Sequence, residues 1–254
     1  MFQRRERPAP SDNHVIIDAR NLWKRYETGG HKVEALRGID LVVRRGEVVA
    51  VMGPSGCGKT TLLNCLSGLD VIDGGTIRIA GRNLKELTDN QRTDFRARAM
   101  GFVFQTYNLL PVLTGLENVE LPMLVSGVKP SLARKRAQEA IDQIGVGQWA
   151  RHRPAEMSGG QRQRFTIARA LATRPAIVWA DEPTGALDSE TSAGIMQLMV
   201  DLNRQNEQTF VWVTHSEEVG SLAGRLIRMR DGRITTDTGQ PAAPAAAREM
   251  ARVD

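Results

Sequence analysis

The chain has 254 residues, 41% of them hydrophobic and 25% charged, with a formal net charge of +5. That length suits one large domain or two small ones, and the composition is ordinary for a soluble globular protein. No apolar run approaches the roughly 18–20 residues that span a bilayer, and the basic residues lie scattered among acidic ones as on a solvated mixed surface.

The first residues, Met1 to Pro8, carry positive charge with no apolar segment after them, so no secretory signal is expected and the chain is assigned to the cytosol. Cys57 and Cys65 give no disulfide framework. If Gly58 opens a helix, a rise of about 1.5 Å per residue separates them by roughly 10–12 Å, too far to bridge, which suits a reducing compartment.

In chain order, residues 1–13 carry Pro8 and Pro10 without periodicity and read as a disordered arm. Short β-rich runs at 15–17, 22–23, 33–36 and 39–43, punctuated by turn residues such as Gly29-Gly30 and Arg45-Gly46, predict antiparallel strands. The continuous apolar run at 48–52 suits a strand buried on both faces. Residues 76–79 alternate and predict an edge strand. From about 88 to 157 the pattern turns helical, with helices expected at 92–98, 115–119 and 131–144. The last has apolar or small positions at Leu132, Ala133, Ala137, Ala140, Ile141 and Ile144, and Pro130-Ser131 starts it.

Beyond this stretch a helix is expected at 158–173, a buried strand at 177–180 and a helix at 189–204 with Ile195, Leu198, Met199 and Leu202 on one face. A buried strand at 210–213 follows, then a hairpin of 226–229 with 233–235 turning at Asp231-Gly232. The Pro/Ala-rich tail at 239–254 is expected to fray, and no repeat of 20–50 residues is present. The expected fold class is α/β: a three-layer core around a mostly parallel sheet, with an antiparallel β subdomain and an inserted α-helical subdomain at about 88–157, all within residues 14–238.

Gly53-Pro54-Ser55-Gly56-Cys57-Gly58-Lys59-Thr60, followed by Thr61, fits G-x-x-x-x-G-K-[ST] between a predicted buried strand and a predicted helix, the context in which such a loop wraps phosphates. Its glycines let backbone N–H groups converge on phosphate oxygens, and the helix N-terminus adds partial positive charge. Lys59 is then expected against the β- and γ-phosphates, and the Thr60 hydroxyl on Mg²⁺. Asp181 and Glu182 end the buried run at 177–180. The first is placed to hold Mg²⁺ and the second to orient and polarise a water, whereas in isolation the pair would read as solvated loop acids. Ser158 begins a helix, so its hydroxyl and the N–H groups after it form an anion site. Taken alone, His215 reads as a strand-end residue and Tyr26 as a packing aromatic.

Together with the phosphate loop and the acidic pair, Met157-Ser158-Gly159-Gly160-Gln161 resembles the signature of ABC-type ATPases, written LSGGQ. The similarity covers about residues 15–238. It implies a P-loop NTPase core, ATP hydrolysis, and two ATP molecules sandwiched between two head-to-tail copies, the signature of one facing the γ-phosphate held by the other. By the same resemblance Tyr26 stacks on adenine, Gln105 serves Mg²⁺ and the attacking water, and His215 meets the γ-phosphate. Asp188, in Ala186-Leu187-Asp188, supports the subunit interface, with a helix cap at Ser189 as the other reading.

Val103-Phe104-Gln105-Thr106-Tyr107-Asn108-Leu109-Leu110-Pro111, with Thr114 and Glu117-Asn118-Val119, is similar to the ATP-binding subunits of the lipoprotein-release, macrolide-export and cell-division group. Met157 replaces the usual Leu, a volume-conserving swap. Cys57 stands where Ser is frequent, and Ser216 follows His215 where an acid is common. Leu109, Leu110, Pro111 and Leu113 read equally as packing within the helical subdomain and, by the resemblance, as a groove for a short cytoplasmic helix of a membrane partner, with Arg151-His152-Arg153 and Glu156 on the same surface.

The function implied is an ATP-binding and hydrolysing subunit that uses ATP and Mg²⁺, pairs with a second copy of itself and drives a separate integral-membrane permease from the cytoplasmic face, with no nucleic acid as partner. The rival class is a soluble ABC-type ATPase acting on nucleic acid or the ribosome. Only the basic charge favours it: Lys59 and Ser158 lie too close in sequence to hold the long coiled coils of repair members, and a single cassette is present.

Overall fold

Strands buried on both faces dictate the layers. In the computed structural model, which describes residues 14–28 and 31–239, β3 (Val48–Met52) is buried at every position, as is β8 (Thr209–Thr214), and β7 (Ile177–Asp181) is buried up to its last residue. The expected N-terminal arm, the Gly29-Gly30 turn and the tail from 240 onward lie outside the described residues.

The three strands occupy the middle of a six-stranded sheet ordered β10-β9-β3-β8-β7-β6, with β6 (Met100–Phe104), β9 (Arg225–Arg230) and β10 (Arg233–Asp237) outside them. Pairing is parallel from β9 to β6 and antiparallel only in the β9–β10 hairpin.

Alternate residues of the inner strands feed two cores, because successive side chains point to opposite faces. Val49, Val51, Trp179, Val211 and Val213 enter one core. It is closed by α1 (Lys59–Leu66) and a four-stranded antiparallel sheet ordered β2-β1-β4-β5. The strands of that sheet are β1 (Val15–Thr28), β2 (His31–Arg44), β4 (Gly74–Ile79) and β5 (Arg82–Asn83). Ala50, Val178, Ala180, Phe210 and Trp212 enter the other core. It is covered by α3 (Gly115–Val125), α4 (Pro130–Ile144), α5 (Gly159–Ala172), α6 (Ser189–Asn206) and α7 (Glu217–Ser221). The α/β class with antiparallel and helical additions is as expected.

Three local expectations are corrected. The four short runs before Val48 are two strands of 14 residues each, β1 and β2. Register shifts around Ala19, Leu22 and Trp23 break the alternation by which a long strand is recognised. Residues 76–79 are not an edge, because β4 lies between β1 and the two-residue β5. The mostly helical stretch 88–157 also contains a strand that the sequence did not show. Helix α2 (Asp89–Ala99) runs straight into β6, whose five residues pair with β7, so that strand belongs to the core sheet. No turn residue marks the junction, which is why the strand is hidden in the sequence.

One buried cation ties the two sheets together. Arg225 on β9 donates through Nη1 to the Val42 carbonyl of β2 at 2.7 Å and to Glu47 Oε2 at 2.9 Å. Its Nε and Nη2 grip both oxygens of Asp237 on β10 at 2.8 and 2.6 Å. Removing a buried charge while its partners stay behind costs about 3–5 kcal/mol. Urea unfolding of Arg225→Met is therefore expected to show a loss of that size. Arg225→Lys is expected to recover only part of it, because an ammonium cannot reproduce the planar fork. Unchanged stability in both variants would contradict this role.

Candidate nucleotide site

The loop from Gly53 to Gly58 is drawn between the end of β3 and the start of α1. Gly58 sits at the helix N-cap with φ 102°, and a Cβ there would lie 2.4 Å from the Ala35 carbonyl oxygen, so only glycine fits. No side chain caps α1, which leaves its first N–H groups to an anion. Pro54, Ser55, Gly56 and Thr60 are exposed, Gly53 and Thr61 half-buried, and Cys57 buried.

The buried Lys59 ammonium donates to the carbonyls of Gly53 at 2.8 Å and Pro54 at 2.9 Å, which leaves its third donor free to meet phosphate. The β9–β10 hairpin braces the loop from below, its Gly232 N–H donating to the Cys57 carbonyl at 3.1 Å. Asp231 and Gly232 both have positive φ, 49° and 76°, as the expected two-residue turn requires.

Asp181 is the last residue of β7, and its Oδ1 lies 3.4 Å from the Thr60 hydroxyl. Burial pushes the Asp181 carboxyl above its ordinary range; the Thr60 hydrogen bond opposes that, and the neighbouring Glu182 charge adds to it. Glu182 turns the chain sharply, with φ 46°, while its N–H still donates to the Val213 carbonyl at 2.9 Å. Left-handed backbone at a residue with a Cβ costs about 1–2 kcal/mol and marks a position held by its surroundings.

That turn brings Glu182 Oε1 to 2.8 Å from His215 Nδ1. An ionised carboxylate can only accept, so Nδ1 is the donor in this contact. Gln105, one residue past β6, lies over the turn after Glu182: a Cβ on Gly185 would be 2.7 Å from its Nε2. A cavity of about 410 Å³ opens beside this group, lined by Glu182, His215, Thr184 and residues of α6 and α7.

The signature residues assemble elsewhere. Ser158 caps α5, accepting from the Gln161 N–H at 3.3 Å, while Gln161 Oε1 accepts from the Ser158 N–H at 2.8 Å. This reciprocal box defines Gln161 as a cap and leaves the Ser158 hydroxyl proton and the N–H groups of Gly159 and Gly160 as donors. A Cβ at Gly160 would lie 2.6 Å from Thr191 Cγ2. Asp188 caps α6, accepting from the Thr191 N–H at 2.8 Å and the Thr191 hydroxyl at 2.7 Å. The cap therefore closes on Thr191, with Ser189 as the helix's first residue. Met157 is buried in the core in place of the usual leucine, and Ser216 caps α7.

The structure thus joins Lys59, Thr60, Asp181, Glu182 and His215 around one point, with Gln105 beside them, and gathers Ser158 to Gln161 with Asp188 in a separate cluster. Tyr26 stands apart on β1, 36% exposed.

Several side chains in supporting positions escaped the sequence reading. Arg162 and Arg169, two turns apart on α5, grip the loop after Gln105. Arg162 lies 4.9 Å over the Tyr107 ring, and Arg169 donates to the carbonyls of Tyr107 and Asn108, both of which have left-handed backbone. Buried Gln163 donates to the Pro183 carbonyl, just past Glu182. Their spacing on one helix is visible in the sequence, but what they face is not.

A family model described as ABC transporter matches residues 36–185. The uncharacterized ABC transporter ATP-binding protein MJ1508 of Methanocaldococcus jannaschii is 45% identical over 219 residues, covering 86% of this chain and 97% of that protein. The lipoprotein-releasing system ATP-binding protein LolD of Alcanivorax borkumensis is 44% identical, covering 86% of this chain and 96% of that protein. The macrolide export ATP-binding/permease protein MacB of Marinobacter nauticus is 44% identical over 224 residues, 88% of this chain but 35% of that longer protein.

Among solved structures, a dimeric post-hydrolysis state of the ATP-binding cassette MJ0796 bound to ADP and Pi aligns with a TM-score of 0.80 at 41% identity, covering 87% of this chain and 97% of that one. Sequence, fold and the order of the clusters along the chain agree, and the chain belongs to the ABC transporter family as an ATP-binding and hydrolysing cassette.

Proposed function

We propose that two copies of this chain close head-to-tail on two ATP molecules and drive a separate membrane permease, as in the lipoprotein-release and macrolide-export group. The observation that carries this reading is the presence of two anion-binding helix starts in one chain. The start of α1 lies with Lys59, Thr60 and Asp181, while the start of α5 at Ser158 is packed against α6 and Tyr107. A second copy turned about a two-fold axis supplies the missing half to each site.

In this cycle the phosphate loop from Gly53 to Thr61 and the Lys59 ammonium bind the triphosphate, Tyr26 stacks on the base, and Ser158, Gly159 and Gly160 of the facing copy donate to the γ-phosphate. Glu182 accepts a hydrogen bond from the attacking water and aims its oxygen at the γ-phosphorus. As the water oxygen bonds the γ-phosphorus, the bond from that phosphorus to the β–γ bridging oxygen breaks, and ADP, inorganic phosphate and the water's proton are released. His215 donates through Nδ1 to Glu182 and, with both ring nitrogens protonated, through Nε2 to a γ-phosphate oxygen, and Gln105 completes the water's surroundings. Gln161 and Asp188 act through the caps of α5 and α6, which place the signature residues.

Thr60 and Asp181 suit Mg²⁺, which takes one or two hard oxygen ligands from protein and leaves the rest to phosphates and waters. No group of three or more His, Cys, Asp or Glu among the described residues is arranged to hold a metal by itself. When bound, the ion offsets charge on the β- and γ-phosphates.

The permease surface falls at residues 110–113 and 150–153. Buried Asn118 holds this loop, accepting from the Leu110 N–H at 2.7 Å and donating to the carbonyls of Leu110, Leu113 and Thr114. Leu110 and Val112 are thereby left 44% and 73% exposed. The Gly115 and Leu116 N–H groups bond the carbonyls of His152 and Ala150, which sets Arg151 and Arg153 alongside. Leu109 turns inward against the core, so the cluster serves packing at one end and a docking surface at the other. No helix among the described residues is long and apolar enough to cross a membrane.

Glu182→Gln is expected to bind ATP, lose turnover by about 10²–10⁴-fold and accumulate as a dimer in size-exclusion chromatography with ATP. Near-normal hydrolysis by that variant would refute the role given to Glu182. For Asp181 the sign runs opposite to that of a salt-bridged acid. Its folded pKa is raised, so the native state binds more protons between the two pKa values and stability falls as pH rises through that window. Asp181→Asn should therefore raise the nucleotide-free melting temperature at pH 7 while cutting turnover by roughly 10²-fold or more. Val112→Asp is expected to abolish co-purification with the permease while ATP binding is retained; intact co-purification would rule this surface out.

A further inference from the structure

Lys24 is one of the few charged side chains the fold buries, at 9% exposure, and hydrolysis as described makes no use of it. Its ammonium donates to Asp70 Oδ1 at 2.7 Å and to the Val71 carbonyl at 2.8 Å, and lies 4.9 Å from the centroid of the Tyr26 ring. The Tyr26 hydroxyl donates to the other oxygen of Asp70 at 2.6 Å. One carboxylate thus holds both the ring's tip and the cation on its face.

Asp70 is itself tied to the end of α1, its N–H donating to the Asn64 carbonyl at 3.0 Å. Burial alone would raise the Asp70 carboxyl, but hydrogen bonds from Lys24, Tyr26 and the Val71 N–H hold it below its ordinary range. Burial and the bond to Asp70 keep the tyrosine protonated. The carboxylate and its donors therefore persist at neutral pH.

We propose that Asp70 and Lys24 are positioning residues for the nucleotide base: they lock the Tyr26 ring in its stacking orientation and fix its distance from the phosphate-binding helix α1. The proposal rests on the reading of Tyr26 as the adenine platform. An exposed aromatic near a strand end would otherwise lose rotamer freedom on stacking, a cost that the Asp70 bond meets in advance. Lys24 over the ring also polarises its π-system, leaving the exposed part to an electron-rich base.

The test compares dissociation constants of the full chain for ATP and for tripolyphosphate, which carries the phosphates without a base. Asp70→Asn, Lys24→Met and Tyr26→Phe are each expected to weaken ATP by about three- to tenfold and leave tripolyphosphate unchanged. The double variant Asp70→Asn/Tyr26→Phe should be no weaker than the worse single one, because both remove the same bond. If Asp70→Asn fails to fold, Tyr26→Phe, which loses one hydroxyl, and Lys24→Met carry the test.

Equal weakening of ATP and tripolyphosphate would overturn the proposal, since the residues would then act through α1 as a whole. Unchanged ATP affinity in all three variants, with a large loss in Tyr26→Ala, would overturn it while sparing the platform. Unchanged affinity in Tyr26→Ala would remove the platform reading itself.

Discussion

Parallel pairing in register brings the C-terminal ends of four strands to one edge of the main sheet. Met52 of β3 pairs with Thr214 of β8, Asp181 of β7 with Val213 of β8, and Phe104 of β6 with Asp181. The residues that leave those ends are the phosphate loop, His215, the Asp181-Glu182 pair and Gln105. Neighbouring strands lie only about 4.8 Å apart, so groups scattered over more than half the sequence are delivered side by side. A slip of one residue in any pair would exchange side chains between the two cores and move the groups at the strand ends with them. The buried apolar residues of β3, β7 and β8 thus set the active geometry as well as the stability.

The edge alone does not aim the side chains. Glu182 reaches His215 only because its backbone takes a left-handed turn, and that turn is held by its N–H on Val213 and by Gln163 on the following carbonyl. The loop after Gln105 is strained in the same way and fastened by Arg162 and Arg169. The three side-chain fasteners, Arg162, Gln163 and Arg169, come from α5, the helix whose start carries the signature. One helix therefore steadies the turn after Glu182 and the loop after Gln105 in its own subunit, while its N-terminus, in the proposed dimer, faces the nucleotide of the other.

The antiparallel sheet has a different task. It closes the core over α1 and carries Tyr26, so in the proposed site its attachment fixes where a base lies relative to the phosphates. Arg225 makes that attachment at one end by spanning β9 and β2, and the Asp70 cluster makes it at the other by holding β1 to the loop beyond α1. Both join a buried cation to multidentate partners, so removing one partner strands the charge of the other.

Much of this was legible in the residues themselves. The apolar runs at β3, β7 and β8, the glycines and lysine of the phosphate loop, the Ser158 cap and the Asp231-Gly232 turn each act through local backbone chemistry, so their meaning survives without neighbours. Spacing hid β6, because a helix runs into it without a turn, and bulges hid the length of β1 and β2. The partners of Lys24, Asp70, Arg162, Arg169 and Arg225 were not legible either, since a charged side chain's role depends on what lies opposite it across tens of residues. The sequence by itself determined which groups are proposed to meet phosphate, through motifs that are local. Only the tertiary structure decided how those groups are aimed and braced, because that rests on strand register and on buried hydrogen bonds between distant segments.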